Sequence, residues 1–98
     1  MRLGKVVGTV VATQKADALK GGKLLIVREM TVDGSLTHNF VVAIDGVGAG
    51  VGEVVLTVAG SSARMTETTR DSPVDTAIVG IVDSVELGGK TVFRKSGD

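Results

Sequence analysis

The chain has 98 residues, 11 Lys and Arg against 11 Asp and Glu, two Phe, no Trp or Tyr, and no cysteine. The missing cysteines exclude disulfides, thiolate zinc sites and a cysteine nucleophile together. Zero net charge and the lack of stacking rings argue against a nucleic-acid surface, and zero net charge also argues against an anionic membrane held by bulk electrostatics.

The length fits one domain, residues 1–98, with a single modest core. Val, Ile and Thr make up 32 of the 98 residues, and these β-branched types favour strands. Gly is 14 against a single Pro, which suits tight bends and close backbone approach. Mean hydropathy is +0.33, high for so small an interior. Some apolar surface is therefore expected to be covered by copies of the chain or by a partner. No apolar run nears the ~20 residues that a membrane helix needs. The N-terminus loosely imitates a secretory signal, but Lys5, Gly8 and Thr9 interrupt it and no small-residue cleavage site follows Ala12. Gly4 is not at position 2, so the myristoylation pattern fails as well. The expectation is a cytoplasmic protein.

Residues 2–13 alternate with period 2, and the even positions Gly4, Val6, Gly8, Val10 and Ala12 are all small. This predicts a strand whose even face lines a cramped interior. Residues 14–22 break the pattern and hold one helical turn at most. Residues 23–30 form a second strand, with Leu24 and Ile26 on one face and Leu25 and Val27 on the other, so both faces are expected to be buried. Asp33-Gly34 marks a tight turn. Residues 38–45 form the third strand, with Phe40, Val42 and Ile44 sharing a face. A glycine-rich loop leads to a fourth strand over 53–59, with Val54, Leu56 and Val58 expected inward. Residues 60–73 are polar and admit one short helix from Ser61 or Ser62, since serine is a good N-cap. Residues 77–86 form the fifth strand. Gly88-Gly89 then turns the chain into a short sixth strand over 90–94, a hairpin signature. There is no internal repeat and no linker. The fold class expected is all-β: a small closed five-stranded OB-like barrel with a C-terminal hairpin and at most one short helix.

The motifs that suggest chemistry fail on spacing. In the run Gly46, Gly48, Gly50, Gly52, the third glycine of G-x-G-x-x-G falls on Val51 or on Glu53, and a strand follows where a helix must begin. Gly89-Lys90-Thr91 resembles the end of a phosphate loop, but the leading glycine position holds Ser84. Gly60-Ser61-Ser62-Ala63-Arg64 resembles a nucleophile elbow, but Arg64 replaces its closing glycine, and nothing brings the lone His38 to Ser62 as a base. One histidine without a carboxylate cluster is a poor metal signal, and an exposed strand histidine is the plainer reading. Asp45, Asp75 and Asp83 adjoin apolar runs, where carboxylates more often end strands or pair with bases than act as acid and base. Arg64, after small residues, suits an ion pair or carbonyl contact at an interface. The residues themselves thus describe a self-associating, non-catalytic β domain with no metal or cofactor. The alternative is an OB-type module for a ligand or oligonucleotide, which the missing aromatic side chains oppose.

Four motifs then occur in order: Thr13-x-Lys15-x-x-x-Leu19-x-x-Gly22-Lys23-Leu24-Leu25; the run from Asp45 to Glu53; Gly60-Ser-Ser-Ala-Arg64; and Pro73-Val-Asp-x-Ala-Ile78 with Gly80-Ile-Val-Asp83. Over roughly residues 1–86 the chain resembles the EutN/CcmL family of bacterial microcompartment vertex proteins. The resemblance implies a cyclic homopentamer at the five-fold corners of a protein shell in the cytoplasm, with hexameric shell proteins as partners in the facets. It implies that Asp45, Gly48, Ala49, Gly50, Gly52 and Glu53, with Ser61, Ser62, Ala63 and Arg64, line the subunit interface or the axial region. There crowding favours small residues, and Glu53 and Arg64 are polar anchors. Lys15 and Lys23 are possible contacts to facet proteins. Residues 29–37, 65–72 and 87–98 lie outside the motifs.

Overall fold

A computed structural model of the chain describes residues 1–13, 22–60 and 76–95. Its strands are β1 (Arg2–Val10), β2 (Lys23–Met30), β3 (Leu36–Asp45), β4 (Val54–Ala59), β5 (Thr76–Ile81), β6 (Ser84–Leu87) and β7 (Lys90–Arg94). The first five close a barrel in the order β1-β2-β3-β5-β4, while β6 and β7 pair with each other as a hairpin. This is the expected small all-β barrel. No helix occurs among the described residues. The segments that admit a helical turn, 14–21 and from Ser61 onward, lie outside them.

Most of the barrel is antiparallel: β1 with β2 and β4, β2 with β3, and β4 with β5. Among the described residues the parallel contact of β3 with β5 has two rungs, Ile44↔Ala77 and Asp45↔Ile78. Inside sit Val6, Leu25, Val27, Ala43, Ala49, Val55 and Ile78, with Ile81 packed against them. Each Val, Leu or Ile so buried contributes roughly 1.5–3 kcal/mol. Ile44, Val58 and Ala77 form a second cluster with Leu24 and Val79. Val58 pairs with Ala77 across β4 and β5, and the other members are the sequence neighbours of interior residues on β2, β3 and β5. Successive strand residues point to opposite faces, so this cluster lies on the other face of the sheet. Both faces of β2 are accordingly covered near Leu24 and Leu25.

Three sequence expectations change. First, β1 does not keep one face to its end. Val6 pairs with Val27 but Gly8 pairs with Ile26, so Val7 is an extra residue. A β-bulge of this kind flips the alternation, and Gly8 and Val10 turn to the face of Ile26 and Leu24. Second, on β4 the main core receives Val55, which pairs with Gly4. Val54, Leu56 and Val58 share the opposite face, where Val54 and Val58 are nevertheless buried. Third, the 77–86 strand is two strands. The Val82 N–H donates to the Val54 carbonyl at 2.8 Å, and the Lys95 N–H donates to the Asp83 carbonyl at 2.6 Å. The chain leaves the barrel between those bonds and enters the hairpin.

Gly88 and Gly89, with φ of 60° and 81°, make the tight hairpin turn that their pairing predicts. The hairpin rests on the β2–β3 turn: a Cβ on Gly34 would lie 2.7 Å from the Val92 carbonyl oxygen. Gly4 marks a second close approach. A Cβ there would collide with Val27 Cγ1 and stand 3.1 Å from the Arg28 carbonyl oxygen. Val27 is fixed in the core and cannot retreat. Gly4→Val is therefore expected to lower stability by about 1–3 kcal/mol, the usual cost of overpacking, read as a lower urea midpoint.

Candidate functional site

Residues 45–53 join β3 to β4 and are tied down along their whole length. Asp45 Oδ1 accepts the Val47 N–H at 3.0 Å. The Gly46 N–H donates to the Ile78 carbonyl at 3.3 Å, and the Glu53 N–H to the Gly50 carbonyl at 3.2 Å. Gly52 donates to the Val6 carbonyl at 2.8 Å and Val6 donates to the Glu53 carbonyl at 2.9 Å, which extends the β1–β4 ladder into the loop. Ala49 is fully buried and belongs to the barrel core. A methyl group at this point acts as a plug, and a larger side chain would have to displace its neighbours in the core.

Two lysines hold the loop from outside. Lys23 Nζ donates to the Ala49 carbonyl at 3.0 Å and stands 3.9 Å from Asp45 Oδ2. The Asp45 side chain is only 4% exposed, so this cation faces a largely desolvated carboxylate. Glu53 links three elements: Oε1 accepts the Gly50 N–H at 2.8 Å, and Oε2 lies 3.0 Å from Lys95 Nζ just past the hairpin. The bond from Lys95, helped by the Gly50 N–H, holds the Glu53 carboxyl below the usual carboxylate range. Glu53 in return raises Lys95 above the usual lysine range.

The outward side of the loop is different. Gly48 and Gly52 have φ of 79° and 96°, the left-handed region that side chains avoid, and a Cβ on either would meet nothing within 4 Å. Gly50 lies outside that region, and its Cβ would find only Glu53 Oε1, at an ordinary 3.7 Å. Packing within the subunit therefore does not demand a glycine at 50. Val47 and Val51 are exposed, Val51 to 63%. The loop thus presents bare backbone and valine outward while its polar groups are satisfied inward.

The structure brings together Asp45, Gly48, Ala49, Gly50, Gly52, Glu53 and Lys23. Lys15, Ser61, Ser62, Ala63 and Arg64 lie outside the described residues. Lys95 was not singled out from the sequence, because it is remote along the chain and sits in an unremarkable basic tail. Lys23 was singled out for a different contact from the two it makes here. His38 is exposed on β3, as expected, and Gly89-Lys90-Thr91 lies on the hairpin turn. Among the described residues no group of three or more His, Asp or Glu is placed to hold a metal ion.

Residues 1–83 match the family model described as "Ethanolamine utilisation protein EutN/carboxysome". The microcompartment shell vertex protein EutN of Salmonella typhimurium strain LT2 is 46% identical over 95 residues, which cover 97% of this chain and 96% of that protein. The structure of Gloeobacter violaceus CcmL superposes with a TM-score of 0.91 at 38% identity, covering 97% of this chain and 98% of that one. The GrpN pentameric microcompartment shell protein from Rhodospirillum rubrum superposes with a TM-score of 0.80 at 48% identity, covering 89% and 98%.

The Glu53–Lys95 link has a pH signature. A carboxyl whose folded pKa is depressed stabilises the fold above its unfolded pKa, and that contribution is lost as pH falls through the folded value. A lysine whose folded pKa is raised stabilises below its unfolded pKa and loses the contribution as pH rises through the folded value. Wild type is expected to exceed Glu53→Gln in urea midpoint at neutral pH. The gap should close in acid below the carboxylate range and again in strong base.

Proposed function

The chain belongs to the EutN/CcmL family, and we propose that it is a structural shell protein whose pentamers cap the five-fold vertices of a bacterial microcompartment. The observation that carries this reading is the match of family sequence and barrel over nearly the whole chain, together with a vertex-protein relative whose structure is pentameric. A cyclic ring uses a heterologous interface: one patch of each copy meets a different patch of the next until the circle shuts. Every subunit then covers apolar surface on two sides, which accounts for a positive mean hydropathy in so short a chain.

The task is geometric rather than catalytic. The charged groups of the 45–53 region are spent on each other, Lys23 on Asp45 and Ala49, Lys95 on Glu53. Their product is a rigid loop, and a rigid loop is what a closing ring needs at its contacts. We assign residues 45–53, with Ser61, Ser62, Ala63 and Arg64, to the subunit interface or the axial region. Hexameric facet proteins are the outer partners, with Lys15 as a contact to them and with Lys23 as another, its half-exposed ammonium keeping a third donor beyond Asp45 and Ala49, and the assembly sits in the cytoplasm. The OB-like barrel is shared with ligand-binding modules, and fold alone does not decide between them. Family membership favours the shell.

Native mass spectrometry is expected to show a ring of about 50 kDa, five copies of the 10.0 kDa chain. Gly50→Leu is expected to abolish that ring while leaving the subunit folded, because its own chain leaves room at this position. Unchanged pentamers would remove the loop from the interface. In cells, loss of the protein should leave shells open or elongated, since hexagonal sheets do not close without five-fold corners. A lone subunit at high concentration would defeat the reading as a whole.

A further inference from the structure

We propose that Asp33–Gly34 is a site of backbone self-modification, where aspartate isomerises to isoaspartate as the protein ages, and that Thr31 is the residue that holds the reaction back. Aspartate followed by glycine is the pair most open to this chemistry, because glycine has no side chain to shield its nitrogen. Two such pairs occur in the chain, Asp33–Gly34 and Asp45–Gly46. The fold treats them differently.

The reaction needs only the chain and water. The Gly34 nitrogen attacks Asp33 Cγ and an N–C bond forms. The amide proton and the carboxyl hydroxyl leave together as water, and the product is a cyclic imide. Water then opens the ring at one of its carbonyls. Cleavage of the new bond restores aspartate. Cleavage at the original peptide carbonyl routes the chain through Cβ and Cγ, which gives isoaspartate with an extra backbone atom and unchanged mass.

In the β2–β3 turn both reacting groups are held by Thr31. The Gly34 N–H donates to the Thr31 carbonyl at 3.0 Å, which keeps the nucleophile engaged. The Thr31 hydroxyl donates to Asp33 Oδ1, which also accepts the Ser35 N–H at 3.1 Å. The bond from Thr31, followed by that from Ser35, holds the Asp33 carboxyl below the usual carboxylate range. The imide forms from the neutral acid, whose hydroxyl can leave, so this shift acts in the same direction as the geometry. The Thr31 N–H closes the turn on the Ser35 carbonyl at 2.8 Å. These bonds all lie within residues 31–35, where Thr31, Asp33 and Ser35 are exposed. A turn held by its own exposed bonds opens by local fluctuation and leaves the barrel intact.

Asp45–Gly46 is held from other strands. Asp45 pairs with Lys23 on β2 and with Ile78 on β5. The Gly46 N–H donates to the Ile78 carbonyl at 3.3 Å. The Asp45 side chain is only 4% exposed, and its Oδ1 accepts the Val47 N–H at 3.0 Å. Freeing this nitrogen requires β3 and β5 to part at the closure of the barrel, an opening far rarer than that of a turn. The same dipeptide is therefore reactive at 33 and quiet at 45. Reaction at 33 reaches beyond the turn. A Cβ on Gly34 would already lie 2.7 Å from the Val92 carbonyl oxygen, so an added backbone atom presses the turn against the hairpin.

The test is peptide mapping of isoaspartate by electron-transfer fragmentation. The folded protein is held at neutral pH and physiological temperature, with the guanidinium-unfolded chain as reference. Positions 33 and 45 are expected to convert at similar rates when unfolded. In the folded wild type, 33 should convert more slowly than when unfolded, yet at least about tenfold faster than 45. Thr31→Val keeps the carbonyl and loses the hydroxyl. It should speed conversion at 33 about fivefold, the rate counterpart of one hydrogen bond, and leave 45 unchanged. Thr31→Ser should keep the wild-type rate. A folded wild type that converts 45 as fast as 33, or converts neither, overturns the site. A Thr31→Val rate equal to wild type, or raised alike at 33 and 45, overturns the role of Thr31. Should that variant fail to fold, the wild type still decides: a rate at 33 as high folded as unfolded overturns the restraint.

Discussion

Five strands close around a space that admits only small and branched side chains, and this constraint governs the rest of the molecule. Gly4 is there because Val27 and the Arg28 backbone leave no room for a Cβ. Ala43 and Ala49 are there because the interior is already filled by Leu25, Ile78, Val6, Val27 and Val55. A barrel so narrow bends sharply, and the bends appear as bulges at Val7 on β1 and Val79 on β5. Among the described residues β3 and β5 meet at two rungs, Ile44↔Ala77 and Asp45↔Ile78.

The 45–53 loop is built around the end of that closure. The loop starts at the last rung, so it covers this end of the barrel. Ala49 enters the core, Lys23 clamps the Ala49 carbonyl, and Glu53 gathers Gly50 and Lys95. Each bond taken singly is worth little at a surface. Together they hold one backbone course, and they also fasten the end of the hairpin, whose strands among the described residues pair only with each other. A two-stranded hairpin is marginal alone, so the Glu53–Lys95 pair and the contact of Gly34 with Val92 keep it in place.

Much of this was legible in the sequence. Period-2 alternation located the five barrel strands to within a few residues, because a half-buried strand cannot hide its period. Gly88-Gly89 announced the hairpin, because few other pairs tolerate two positive φ angles in succession. The failures have physical causes too. A bulge leaves no mark on an alternating pattern, so Gly8 and Val10 were assigned to the wrong face. Val54 to Val58 is almost uniformly apolar and buried on both sides, so the pattern there cannot say which face is inner. The Lys95–Glu53 pair joins residues far apart along the chain, and only the fold brings them together. The glycine loop was found as a motif, but its rigidity was not, since rigidity comes from partners on β1, β2, β5 and the tail.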